Sequence, residues 1–427
     1  MKTRRKKTLK QQEQSQTCLS SAEPSQSSAK QNKNTRRSSW FPHFIEHIFV
    51  VVLAVVLLGL AAILVFSLSF LNPISRAYSN MNFSDLYFQN LRLHEKPDTS
   101  DLVTIVDMTS LHERGDLAEL LTQIDAMEPA TVGVDVIFQG LKDDHTGNQL
   151  LIDAVGSLES KFIFGNKLLD YDPEQAVFTS QLQSFFCDSV KIKEGYTNLT
   201  DNMEKNVIRN YTTEQSLNSA KVPSFSYAIA KTFDNSLGKP ADNSYINYGN
   251  HVFRIVPPDE LDDYEDYINN HIVIVGALTE EADAHRSPVG KMSGVEIQAY
   301  TLETILQRKD IHNAPSWLSW FVAIALCLLF ELFFQSIVNY VNKHNKNMFL
   351  VFLLKSSLLT TIILAIGLTV ANWICYKMFK HANIYLDATL ILSLMALVVI
   401  ARFYYAGIIA AIRTKSKHPF VENSMFK

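Results

Sequence analysis

Five side chains in this sequence have the types needed to hold or transform a small polar molecule: Asp107, Asp135, Asp283, His285 and Glu296. Asp107 ends the β-branched run Leu102-Val-Thr-Ile-Val-Asp107, and Asp135 lies inside a second run, Thr131-Val-Gly-Val-Asp-Val-Ile-Phe138. Short apolar runs of this kind read as buried strands. Carboxylates near the C-terminal ends of parallel strands face the crevice in which open α/β sheets bind ligands. Asp283 and His285 belong to the loop "DAHRSP" (283–288), which follows the most apolar run of all, Ile272-Val-Ile-Val-Gly-Ala277. Glu296 stands at the start of the next helix, whose N-terminus would favour an anion, and an imidazole titrates near neutral pH. Together the five are candidates for binding a cation or a polar ligand, with the metal question open. The bland alternative is that Asp107 caps a turn, Asp135 pairs within the sheet, and the loop pins the domain to its neighbouring helix.

Catalytic signatures are missing around these residues. Thr109 stands where an aspartyl-phosphate enzyme would carry a second aspartate two positions after Asp107, and no G-x-S-x-G, Walker A or H-E-x-x-H string occurs. No cofactor is expected, and the chain is read as non-enzymatic.

The elements that must position these residues follow from hydrophobic spacing. Leu117, Leu120, Leu121, Ile124 and Met127 recur at helical intervals between the first two strands, and Pro129 stops the helix. Strand, helix, strand at this spacing is a βαβ unit with parallel pairing and a right-handed crossover. A helix over 148–158, a strand over 162–165, a helix over 225–233, a strand over 244–248, an acidic helix-like patch over 259–270 and a helix over 295–306 continue the pattern. The stretch 166–223 is polar and carries little signal. The expected fold class is an α/β domain with a largely parallel sheet, joined to an all-α membrane part.

That membrane part is the strongest pattern in the chain. Residues 48–71 carry no charged side chain, and a stretch of about 20 apolar residues spans a bilayer as a helix. Three more apolar runs follow the polar block. The expected organisation is a basic tail over 1–44, a span over 45–71, a folded domain over 72–316, spans over 317–341, 349–373 and 384–409, and a short tail over 410–427. Lys2, Arg4, Arg5, Lys6, Lys7, Lys10, Arg36 and Arg37 precede the first span. By the positive-inside bias both termini are cytoplasmic and 72–316 is extracytoplasmic. Lys343, Lys346, Arg413, Lys415 and Lys417 agree with this, whereas Lys377 and Lys380 do not.

Charged residues inside the spans form a second group. Glu331 and Gln335 share one stripe of the second span, Lys355 lies in the third and Arg402 in the fourth. A lone charge at mid-bilayer costs about 2.5–3.5 kcal/mol on insertion scales, so Glu331 is expected to pair with Lys355 or Arg402. The formal net charge is −4, and no basic patch with interleaved aromatics marks the 72–316 block, which argues against nucleic acid. Cys187 is the one cysteine in that block, so no disulfide can form within it.

The string "LVTIVDMTSLHERGDLAELLTQIDAMEPATVGVDVIF" (102–138) resembles the opening of the type-2 CHASE domain, an extracellular sensor module of bacterial signalling receptors. "EGYTNL" (194–199), "VIRNY" (207–211), "VPSFSYAIAK" (222–231), "SYINY" (244–248) and "HIVIVGALTEEADAHRSPVGKMSGVEIQAYTLETIL" (271–306) are similar to later segments in the same order, as are the closing spans. Family members usually carry a Trp/Pro-rich element before the first helix, which Ser110–Asp116 lacks, and a histidine where this chain has Gln298. They usually continue into a kinase or nucleotide-cyclase domain; the stretch after Ile409 is too short for one. The resemblance implies a sensor in the bacterial inner membrane, working as a homodimer; the short stretch after Ile409 gives the expectation that no output domain is present in cis. Its expected partners are an unidentified small-molecule ligand, membrane lipid and a signalling protein in trans. The alternatives are a scaffold subunit of a membrane complex and a metal-dependent extracytoplasmic enzyme using Asp107, Asp135 and Asp283.

Overall fold

The apolar runs of the polar block fold as strands because both faces of each run are buried. The computed structural model describes residues 40–67, 82–94, 96–199, 207–241, 243–279, 283–343, 348–349, 352, 357–424 and 426. A long helix α1 (Trp40–Ser67) and a short amphipathic α2 (Phe83–His94) lead into β1 (Asp98–Asp107), α3 (Arg114–Ala126), β2 (Thr131–Val134), α4 (His145–Ser157) and β3 (Phe162–Asp172). Then come β4 (Val177–Leu182), β5 (Lys193–Tyr196), β6 (Asn210–Tyr211), β7 (Glu214–Leu217), β8 (Ala220–Pro223), α5 (Phe225–Phe233), β9 (Ser244–Tyr245) and β10 (His251–Val256). A 3-10 segment (Pro258–Tyr267) precedes β11 (Ile272–Gly276), the hairpin β12 (Ala284–Ser287) and β13 (Gly290–Ser293), α6 (Gly294–Gln307) and β14 (His312–Asn313). The membrane part holds α7 (Ser316–Lys343), α8 (Leu358–Ala382), β15 (Ile384–Tyr385), α9 (Ala388–Arg413) and α10 (Pro419–Glu422).

Among the described residues the main sheet runs in the order β10-β1-β11-β2-β3, with β5 paired to β3, and all of these pairings are parallel. Beyond Gly165 the long β3 turns antiparallel to β4, and β7 and β8 extend that edge. The polar 166–223 stretch is thus a mixed extension, with β3–β4 and β7–β8 antiparallel and β3–β5 and β4–β7 parallel, and its half-exposed strands β4 and β7 lack the continuous apolar runs of a doubly covered sheet. On β11, Ile272 and Ile274 face the core shared with α5 and α6, whereas Val273 and Val275 face α3 and α4. On β1, Ile105 and Val106 divide in the same way. Helices therefore cover both faces, and the result is a mixed α/β sheet with a parallel centre.

Several boundaries differ from the sequence expectation. β2 stops at Val134, because Asp135 makes one last ladder bond to the Val275 carbonyl (2.8 Å) and the chain then leaves the sheet. The strand expected over 244–248 is two residues long; Tyr248 instead buries its ring and donates from its hydroxyl to the Ile208 carbonyl at 3.0 Å. The edge strand β10 and the helix α2 were not legible as such, and the 278–293 loop contains the β12–β13 hairpin.

Among the described residues, four helices are long and apolar enough to cross a membrane: α1, α7, α8 and α9. α1 packs on α9 and α7, and α8 packs on α9. Their outward faces are apolar too, with Phe49, Phe321, Phe333, Ile366 and Phe403 all exposed, as a bundle surrounded by lipid requires. α8 runs from Leu358 to Ala382 rather than over 349–373, because Asn383 ends it in a left-handed conformation (φ 53°). Lys355 lies outside the described residues.

One apolar core joins the globular body to this bundle. Tyr87 and Phe88 of α2 meet Phe379 of α8 at ring-centroid distances of 5.3 and 5.0 Å, and the Tyr87 hydroxyl donates to Asn372 at 3.1 Å. β14, which follows the body, pairs in parallel with β15, which connects two membrane helices.

Candidate crevice at the strand ends

The strands β1, β2 and β11 end side by side, and four of the five candidate residues lie around that rim. Gly276 closes β11 opposite Asp107. A Cβ there would come within 2.1 Å of Val295 and 3.5 Å of Asp135, so the absence of a side chain lets α6 and the β2 exit approach each other.

Asp107 is already engaged. Its Oδ1 accepts from the Thr109 backbone N–H (3.0 Å), from the Thr109 hydroxyl, and from the Leu278 N–H at 3.2 Å. The Leu278 N–H also reaches Thr109 Oγ1 at 3.0 Å. Asp107 and Thr109 together clasp the exit of β11, which is the turn-capping alternative realised with a second residue.

Asp135 is different. It sits one residue past β2, half-buried, and among the described residues no hydrogen bond reaches its carboxyl group. Burial, reinforced by the charge of Asp283 and opposed by that of His285, pushes this carboxyl up to about 7. Loss of solvation disfavours the charged form, and a like charge adds to it.

Asp283 and His285 lie across from it. His285 Nε2 is 3.3 Å from Asp283 Oδ1, and Asp283 Oδ2 accepts from the Gly294 backbone N–H at 2.9 Å. Asp283 therefore fills the anion position at the N-terminus of α6, where the sequence left room for an external anion. A Cβ on Gly294 would lie 2.6 Å from that Oδ2. Glu296 is likewise committed: it forms a capping box with Ser293, the Ser293 N–H donating to Glu296 Oε2 at 2.9 Å and the Glu296 N–H to Ser293 Oγ at 3.3 Å.

The structure thus brings Asp135, Asp283 and His285 together, with Asp283 Oδ2 held by the Gly294 N–H, and commits Asp107 to the exit of β11 and Glu296 to the cap of α6. Among the described residues, no group of three or more His, Cys, Asp or Glu side chains is arranged to hold a metal ion. Thr109, Ser293 and Gly294 were missed by the sequence reading. Ser293 had a signal, the S-x-x-E spacing to Glu296; Gly294 had none.

In the membrane bundle, Arg402 Nη1 donates to Glu331 Oε2 at 2.7 Å, and a second guanidinium nitrogen reaches Gln335. His47 Nδ1 of α1 lies 3.3 Å from the same Glu331 oxygen. The group ties together α1, α7 and α9. His47 escaped the sequence reading because it sits on the polar flank of the first span.

A family model described as CHASE2 domain matches residues 51–333. No curated protein matches the chain, and no solved structure does.

Proposed function

We infer that this chain, which belongs to the CHASE2 domain family, is a membrane-anchored extracytoplasmic sensor that binds a small polar ligand and passes the change through its helices. The basic N-terminal flank and the Lys343, Arg413 and Lys415 positions support cytoplasmic termini in a bacterial inner membrane. The reading is of a binding protein and not of an enzyme. Asp107, Asp283 and Glu296 each hold local structure, leaving one half-buried carboxyl, that of Asp135, facing an Asp–His pair.

The observation that carries the reading is the unbroken core from the sheet to the membrane helices through Tyr87, Phe88, Tyr248 and Phe379. Packed interiors do not deform continuously, so a shift of the body against α8 requires a second discrete packing. A ligand moves that balance only by binding one packing more tightly than the other. The output then goes to a signalling partner in trans, with the protein itself dimeric in a lipid bilayer and with no role for nucleic acid.

The test is a thermal-shift screen of polar metabolites on the full chain in detergent. Each hit is then checked for altered cross-linking between cysteines placed at Tyr87 and Asn372. A ligand that shifts both supports a sensor. Ligands that bind and leave the cross-link unchanged favour a scaffold with an unrelated pocket.

A further inference from the structure

A cavity lies at the opposite end of β1 from the candidate residues, where the globular body rests on the bundle. It has a volume of about 720 Å³ and is lined by the start of β1, the start of β10, the end of α6 and the end of α8. Asp98 lines this cavity and Asp107 ends the same strand, so a ten-residue strand separates the cavity from the candidate residues, roughly 30 Å at strand rise. Sites of several hundred Å³ at the junction of two bodies suit small molecules.

Its floor is polar and incompletely satisfied. Glu303 is 4% exposed, and its Oε1 accepts from Gln307. Its Oε2 is buried without a hydrogen bond; His251 Nε2 stands 3.1 Å away, but the pair is not aligned as a hydrogen bond. Asn250 Nδ2 is likewise buried without an acceptor. Among the described residues Glu303 Oε2 has only the His251 imidazole beside it, and an unmet group such as the Asn250 amide costs about 1–3 kcal/mol; a native fold retains few of them. The rim, by contrast, carries exposed Lys96 and Lys309 beside Asp98. A buried carboxylate below and ammonium groups above form a cavity of both signs.

We propose that this seam cavity binds a small zwitterion, an ammonium joined by a short linker to a phosphate or carboxylate. Glu303 receives the ammonium, and Lys96 and Lys309 receive the anionic group. The same chemistry is offered by a free solute and by an aminophospholipid head group. Lys96 and Lys309 also follow the C-terminal ends of α2 and α6, where cations offset the helix dipole; that role requires no ligand, so titration separates the two. The proposal stands apart from the crevice and from any signalling role.

The experiment is calorimetric titration of the full chain in a non-ionic detergent with O-phosphoethanolamine. Saturable binding is expected, with ethanolamine or inorganic phosphate alone weaker by about tenfold or more, the loss of one charge-assisted contact. Glu303→Gln is expected to weaken O-phosphoethanolamine by a similar factor and to leave phosphate unchanged. Lys309→Ala, at an exposed position that does not threaten folding, weakens both. Repeating the titration in nanodiscs identifies the source. Loss of binding in phosphatidylethanolamine discs but not in phosphatidylglycerol discs assigns the site to the head group, and retention in both assigns it to a solute. Absence of saturable binding in detergent, or binding indifferent to both substitutions, overturns the proposal.

Discussion

Arg209 grips Asp85 with two parallel hydrogen bonds, Nε to Oδ1 at 2.8 Å and Nη2 to Oδ2 at 2.7 Å. The pair joins α2, which rests on the membrane helix α8, to the segment entering β6. Arg209 is 7% exposed and Asp85 22%, so little water is available to either charge if its partner is removed. Arg209→Ala is therefore expected to destabilise the full chain by about 3 kcal/mol, the usual cost of stranding one member of a buried pair. Thermal unfolding in detergent reads the loss. The double substitution Asp85→Asn, Arg209→Ala should recover part of it, because no carboxylate is left stranded.

Asp135 predicts a pH dependence of opposite sign to that of an ordinary salt-bridged aspartate. An unfolded aspartate titrates near 3.8, and the folded one is raised to about 7. Between those values the folded state holds a proton that the unfolded state has released. Stability from this group is thus complete at low pH, falls as pH rises, and levels off above the folded value. The slope is at most about 1.4 kcal/mol per pH unit. Asp135→Asn cannot titrate and should flatten the melting temperature between pH 4.5 and 7. Equal slopes in the two proteins would show that the carboxyl is not perturbed.

The α6 entry offers a local test. Ser293→Ala removes the hydroxyl half of the capping box, the acceptor of the Glu296 N–H, and should cost about 1 kcal/mol, while the backbone N–H at 293 still donates to Glu296 Oε2. Gly294→Ala acts on the site itself, since its Cβ would press on Asp283 Oδ2 at 2.6 Å. It should displace Asp283 from the helix N-terminus and lower the Asp135 titration point by weakening the like charge beside it. NMR titration of an Asp135 carboxyl label measures this; an unchanged midpoint would mean that Asp283 does not act on Asp135.

What was legible in the chain follows from which forces act over short sequence distances. Ile272–Gly276 was readable as a central strand because side chains buried on both faces leave an uninterrupted apolar run, and Leu102–Asp107 because its β-branched residues 103–106 are buried on both faces. The edge strand His251–Val256 was not, because exposed Val252 and Ile255 and the charged Arg254 blur the pattern. The strand ends could be placed, which brought Asp107, Asp135, Asp283 and His285 to one rim. The division between them could not, because it depends on Thr109 and Leu278, which meet only after β11 inserts between β1 and β2. Likewise Glu331 and Arg402 were identifiable as charges that needed partners, whereas His47 joins them from a helix some 280 residues earlier in the chain.

The last prediction concerns that membrane group, where the type of cation matters as well as its charge. The Arg402 guanidinium lies 4.6 Å from the ring centre of Phe334 and 4.8 Å from that of Phe426, while its nitrogens reach Glu331 and Gln335. A planar fork can stack on rings and bond two acceptors at once, and an ammonium cannot. Glu331 is fully buried, so a removed cation leaves a carboxylate in the bundle with His47 as its nearest base. Arg402→Leu should therefore cost about 3 kcal/mol or more, and Arg402→Lys most of that despite keeping the charge. Adding Glu331→Gln to Arg402→Leu should restore stability, since the pair is then replaced by groups that need no counter-charge. Unfolding in mixed micelles measures all three. If Arg402→Lys behaves like the parent, the rings contribute nothing and the contact is a simple ion pair; if Arg402→Leu also does, the ion pair does not hold α7 to α9.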